Sequence, residues 1–221
     1  MNLRTSTLLG LLSVGALLAP TGGSAHEFWL DADSLRPPPD TEIAVYVRSG
    51  HYFPASALLL SDRLLRSLTV TDDVGVRDIP SVADKRERVA RLLVRSNGVH
   101  RIDLTIQRPQ MMKPDAWARL WLVPSGVQSD PTLYTAGQGL ELAPRTPIEN
   151  ARVGAPLPIS ALRDGTPLRA RIQIQAAEGG GAWINSTPDE PGEYTPRKSG
   201  RHIAIVSDGG QTSTLVFEVS P

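Results

Sequence analysis

The sequence contains no cysteine. No disulfide can staple this chain, and no thiolate is present to hold zinc or an iron–sulfur cluster. Packing must therefore stabilise the fold, and any metal must rely on nitrogen and oxygen donors. Methionine is nearly as scarce: beyond Met1 only Met111 and Met112 occur, too few for a methionine-rich cuprous site. No sign of charge dominates, since 23 Lys and Arg balance 23 Asp and Glu. That balance removes any general electrostatic pull toward nucleic acid or anionic membrane. Enzyme signatures are also missing: there is no Gly-x-Ser-x-Gly elbow, no phosphate loop and no His-Glu-x-x-His helix. Gly179-Gly180-Gly181 lacks the strand–loop–helix context of a nucleotide site. Asp31, Asp33, Asp72 and Asp73 carry nothing that marks a catalytic pair. The chain is expected not to be an enzyme.

The single long apolar stretch, Leu8 to Leu18, is too short for the roughly 18 residues of a membrane span. Preceded by Arg4 and followed by Pro20-Thr21-Gly22-Gly23-Ser24-Ala25, it has the layout of a secretory signal over residues 1–25. Cleavage after Ala25 leaves 196 residues that begin at His26, in which 22 basic residues face 23 acidic ones. The expected location is the periplasm, with no transmembrane segment in the mature chain.

What is abundant is turn-forming residues: 19 glycines and 19 prolines punctuate the chain, which opposes long helices and favours short strands. Alternating apolar positions predict strands over 43–47, 66–71, 89–95, 99–107 and 116–123, the third and fourth joined by the turn Ser96-Asn97-Gly98. His100, Ile102, Leu104 and Ile106 share one face of the fourth. Trp117 and Trp121 share a face of the fifth and are expected in the core. The run Asp84-Lys85-Arg86-Glu87-Arg88 is of mixed sign and reads as a solvated turn or strand edge. A second rhythm begins near 135–139. Strands are predicted over 140–142, 156–162, 169–175, 201–206 and 213–219, separated by 163–167, 178–181 and 207–210. The expected fold is all-β: two immunoglobulin-like β-sandwich domains, at 26–140 and 141–221.

Four histidines can be weighed as metal ligands. Freed by cleavage, His26 offers both its α-amine and its imidazole, and that amine titrates near pH 7.7–8.0, so a cation can displace its proton. The plainer reading is a chance histidine after the cleavage site. His51, in Ser49-Gly50-His51-Tyr52-Phe53-Pro54, is expected in a loop at the mouth of the 43–47 strand; the plainer reading is a loop histidine bonded to backbone. Together they give three nitrogens in a tetragonal arrangement that suits Cu(II) or Ni(II). Tyr52, Glu27 or Asp31 is available as an axial or supporting oxygen. His100 and His202 alternate with core residues and are expected to be structural. Phe28 and Leu30 should point opposite to Trp29, anchoring the new terminus.

The opening Ala25-His26-Glu27-Phe28-Trp29-Leu30, the bend at Pro37-Pro38-Pro39 and Gly50-His51-Tyr52-Phe53-Pro54 resemble a bacterial periplasmic family. Its domain bears an unknown-function label and is associated with cobalt/nickel transport. Gly139-Leu140-Glu141-Leu142-Ala143-Pro144 and Asp164-Gly165-Thr166-Pro167-Leu168 are similar to its second half. The resemblance spans nearly the whole mature chain. It departs from the pattern at Ser186-Thr187-Pro188-Asp189-Glu190-Pro191-Gly192, where the family has Thr-Asp-x-x-Gly. What it implies is a metal-associated binding protein working with a membrane metal transporter, with His26 and His51 as ligands to Ni, Co or Cu. Two other readings stay open: an immunoglobulin-like binding or assembly module without metal, and a histidine-brace copper oxidase.

Overall fold

The computed structural model describes residues 27–95 and 98–221. In its first half the strands are β1 (Glu27–Ala32), β2 (Thr41–Gly50), β3 (Leu65–Asp72), β4 (Gly75–Asp78), β5 (Ser81–Asp84), β6 (Glu87–Val94), β7 (His100–Ile106) and β8 (Ala116–Leu122). The second half adds β9 (Leu140–Pro144), β10 (Leu157–Arg163), β11 (Thr166–Pro167), β12 (Ala170–Ala176), β13 (Gly181–Ser186), β14 (Gly192–Tyr194), β15 (Gly200–Asp208) and β16 (Gln211–Val219). Two single 3-10 turns, Pro131–Tyr134 and Ile148–Asn150, are the helical elements among the described residues. The protein is all-β, as expected, and each strand predicted from alternation is present. The predicted turn at 96–98 has Ser96 and Asn97 outside the described residues.

Three sheets form. The first runs β1-β2-β6-β5, the second β13-β12-β15-β16-β8-β7-β3-β4, and the third β11-β10-β14 with β9 also on β10. Among the described strands pairing is antiparallel except at one seam, where β16 runs parallel to β8 from Thr212↔Ala116 to Val216↔Leu120. That seam fuses strands of both halves into one eight-stranded sheet. The first sheet covers one face of it and the third covers the other.

Side-chain alternation shows why. On β8, Ala116, Ala118, Leu120 and Leu122 enter the first core, while Trp121 and, one residue past the strand, Val123 enter the second. On β16, Val216 enters the first and Leu215, Phe217 and Val219 the second. On β15, Ile203 and Ile205 face the first core, Ala204 and Val206 the second. A strand covered on both faces needs apolar residues at consecutive positions, and Leu215-Val216-Phe217 supplies them. Burying each such side chain contributes about 1.5–3 kcal/mol.

The turn chemistry follows the sequence. Gly209 and Gly210, at φ 55° and 78°, make the two-residue turn between β15 and β16, a left-handed pair that strand twist favours. The charged run at 84–88 is a hairpin turn, with Asp84 opposite Glu87. Its last residue is not solvated: Arg88 is buried and donates to Ser81.

Candidate functional site

The corner where β1 begins and β2 ends holds His51, one of the two ligands expected from sequence. The two strands pair with Glu27 opposite Gly50 and Phe28 opposite Ser49. His51 follows Gly50 directly and is half-buried. His26 lies outside the described residues.

β1 is held from every side. Phe28, Trp29 and Leu30 are all buried, although alternation points them to opposite faces. The reason is that β1 lies at the edge of the first sheet against the central one. Thr214 donates its hydroxyl to the Phe28 carbonyl at 2.7 Å, and Arg201 donates to the Ala32 carbonyl at 3.0 Å. Each satisfies a carbonyl on the edge strand.

The loop after β2 is compact. Ala57 and Leu58 donate their amides to the Ser49 carbonyl at 2.9 and 3.2 Å. The Ser49 hydroxyl donates to the Leu58 carbonyl at 3.0 Å, and the Ser56 hydroxyl to the Arg86 carbonyl at 2.6 Å. Gly50 makes the fold-back possible, because a Cβ there would lie 3.1 Å from the Ala57 methyl. Phe53, buried, meets Trp29 edge-on with ring centroids 6.0 Å apart. His51 therefore leaves a loop pinned at both ends, to β1 through Phe53 and to β2 through Ser49. Sequence reasoning did not single out Ser49, Ser56 or Phe53; an aromatic two residues after the histidine was the available signal.

Glu27 fits a cation at this corner better than the other oxygens. One of its carboxyl oxygens is buried without a hydrogen-bond partner among the described residues. Burial pushes its pKa up, because a desolvated carboxylate is costly without a nearby positive charge. Tyr52 projects into solvent, 82% exposed. Asp31 is a correction: it pairs with Arg48 at 2.6 Å and sits four residues along β1, roughly 13 Å from Glu27. Its oxygens are committed to an arginine and are at the wrong end of the strand.

The other two histidines are structural. His100 is buried; the Arg95 amide donates to its Nε2 at 3.1 Å, so Nδ1 carries the proton and donates to the Gly98 carbonyl at 3.1 Å. His202 is buried; its Nε2 donates to the Lys198 carbonyl at 3.1 Å, and the Tyr194 hydroxyl donates to its Nδ1 at 3.0 Å. Both tautomers are assigned from these partners. Burial holds both pKa values below the ordinary histidine range, and neither ring keeps a free lone pair for a metal. Among the described residues no group of three or more histidines and carboxylates gathers closely enough to hold a metal ion.

A second polar cluster joins the halves. Arg119, buried on β8, donates to Asp103 at 2.8 Å and to the Gln138 carbonyl at 3.1 Å, and lies 3.0 Å from Glu141. Glu141, fully buried at the start of β9, accepts from the amides of Ala136 and Gln138 at 2.7 and 3.0 Å. Its carboxylate closes the 135–139 loop like a helix cap and neutralises the arginine, a structural use of the Glu141-Leu142-Ala143-Pro144 segment. Trp121 is buried as expected, while Trp117 is only partly so, under Gly139.

No family model matches the chain, and no curated protein does. Among solved structures it is similar to the ectodomain of mouse nectin-like molecule 4, at 11% identity and TM-score 0.27, over 87% of this chain and 64% of that one. The Escherichia coli adhesin FdeC gives 14% identity and TM-score 0.27, over 89% and 64%. A segment of two fibronectin type III domains from chicken tenascin gives 14% and 0.27, over 87% and 97%. The chain thus spans under two thirds of the first two. None of these superposes closely enough to carry an argument about this chain beyond the sheets already described.

Proposed function

We propose that this protein is an exported, non-catalytic metal-binding accessory protein. It holds Cu(II), Ni(II) or Co(II) through the α-amine and imidazole of His26 and the imidazole of His51, for handling by a membrane transporter. One observation carries the reading: the register Glu27↔Gly50. His26 precedes Glu27 by one peptide bond and His51 follows Gly50 by one, so covalent connectivity alone tethers both histidines to one strand pair. The desolvated Glu27 carboxylate beside that pair supports a cation there. Pinning of β1 and of the 51–58 loop lowers the ordering cost that a frayed terminus would impose, about 1–2 kcal/mol per residue. Isothermal titration of Cu(II) and Ni(II) into protein that begins at His26 tests it. His51→Ala, and separately one extra residue before His26, should each weaken binding at least about tenfold, the loss of one donor from a chelate. Affinity unchanged in both variants overturns the reading.

A second reading is a β-sandwich binding or assembly module without metal. It is favoured by the internal bonding of His100 and His202 and by the lack of a three-ligand group among the described residues. Elemental analysis of untagged protein purified from its own compartment separates the two.

A further inference from the structure

Trp183 stands apart from the other tryptophans. Trp29 and Trp121 are buried, Trp117 is partly buried, and Trp183 is 52% exposed. It lies on β13, the terminal strand of the central sheet, in the outward phase with Asn185, while Ile184 and Ser186 point inward. Across the pair, Gln173 of β12 stands opposite Trp183 and Arg171 opposite Asn185. The Arg171 guanidinium lies 4.2 Å from the ring centroid of Trp183. That cation–π contact fixes the indole while leaving it open to solvent.

The same tryptophan forms the lip of a groove of about 510 Å³ between β13 and β14. One wall is Gly179-Gly180-Gly181, which presents backbone and no side chain. The opposite wall carries Arg197, Lys198 and a single carboxylate, Glu193. Lys198 donates to the carbonyls of Glu178 and Gly179 at 3.2 and 3.1 Å, which ties the glycine wall down. The lining thus holds two cations and one anion, and a third cation, Arg171, stands just outside it against the indole. A ligand suited to this place offers a flat C–H face for the indole and negative charge for Arg197, with hydroxyls that extend past the lip to Gln173 and Asn185, which flank Trp183 outside the groove.

We propose that the groove between β13 and β14 binds an acidic oligosaccharide, one pyranose ring stacking on Trp183 and its carboxylates facing Arg197. The proposal is independent of the metal reading, since no residue is shared. Amide side chains donate and accept at once, as neighbouring sugar hydroxyls require. A nucleic acid would need a longer basic track and successive stacking platforms, and the groove has one exposed aromatic ring.

The test is tryptophan fluorescence of the full chain, titrated with oligogalacturonate, with neutral dextran oligomers and with oligothymidylate. Oligogalacturonate should shift the emission and bind more weakly as salt rises. Trp183→Ala should abolish the shift and weaken binding, followed by affinity electrophoresis, at least about tenfold. Arg197→Gln should weaken binding and flatten its salt dependence. Both positions are exposed, so the thermal midpoint should stay within a few degrees of the parent's. No binding of oligogalacturonate, or equal affinity in Trp183→Ala, overturns the proposal. So does equal or tighter binding of dextran or oligothymidylate.

Discussion

Glu27, His100 and His202 each hold an ionisable group where water is scarce, and burial moves acid and base in opposite directions. For the histidines, the folded pKa lies below the unfolded value of about 6.5. The stabilisation they give as neutral rings is therefore complete above that value and lost as pH falls through the folded pKa. His202→Gln keeps a donor and an acceptor but does not titrate. Between pH 7 and pH 5.5 the urea midpoint of the parent should fall more than that of the variant; equal slopes would contradict the assignment. For Glu27 the sign is reversed. Its folded pKa is raised, so its favourable contribution exists below the ordinary carboxylate pKa and disappears as pH rises through the folded value. The same desolvation means that a cation placed at this corner, as proposed above, would favour the ionised carboxylate. Glu27→Gln should flatten that part of the stability profile, read as urea midpoints from pH 4 to pH 7, and weaken Cu(II) binding, read by calorimetric titration at pH 7.

At the level of elements, the 135–139 loop shows how local chemistry fixes long-range geometry. Gly139, at φ 64°, lies against Trp117: a Cβ there would come 2.5 Å from Trp117 Cε2. Gly139→Ala should cost about 1–3 kcal/mol, combining a disfavoured backbone with overpacking, measured as a lowered urea midpoint. Glu141→Gln leaves the buried Arg119 with only Asp103 as a charged partner. Because Asp103 still compensates the arginine, the cost should fall below that of a fully unpaired buried charge, at about 1–3 kcal/mol. A variant as stable as the parent would show that the pair is dispensable.

The strands readable from sequence were those with a buried face. β7, with His100, Ile102, Leu104 and Ile106 inward, is buried at alternate positions throughout. The short edge strands gave no such signal, since Val76 and Val82 on β4 and β5 point into solvent. β13 stayed hidden because its tryptophan occupies an outward position where a polar residue would complete the alternation. The seam was also missed, because β8 and β16 are some ninety residues apart and pair in parallel. Leu215-Val216-Phe217 did carry the clue, an unbroken apolar triplet that marks a strand covered on both faces. Of the candidate site, alternation placed His51 at the end of β2, but no pattern could show that Asp31 belongs to Arg48.

Over the whole molecule, the shared sheet makes the halves depend on one another. Ile203, Ile205 and Val216 from the second half complete the first core, and Trp121 and Val123 from the first half complete the second. Calorimetry of the full chain should therefore give one cooperative transition, with calorimetric and van't Hoff enthalpies equal; two separated transitions would contradict the shared core. The same rigidity serves the proposed metal corner. β1 is clamped by Thr214 and Arg201 from the far half of the chain, so the first sheet, the central sheet and the 51–58 loop position one strand end together.

The most direct test of the proposed metal site is the electron paramagnetic resonance spectrum of Cu(II) added to protein that begins at His26. Coupling to three equatorial nitrogens is expected, falling to two in His51→Ala and in protein extended by one residue before His26. A spectrum that neither change alters would show that the amine and the two imidazoles do not share an ion.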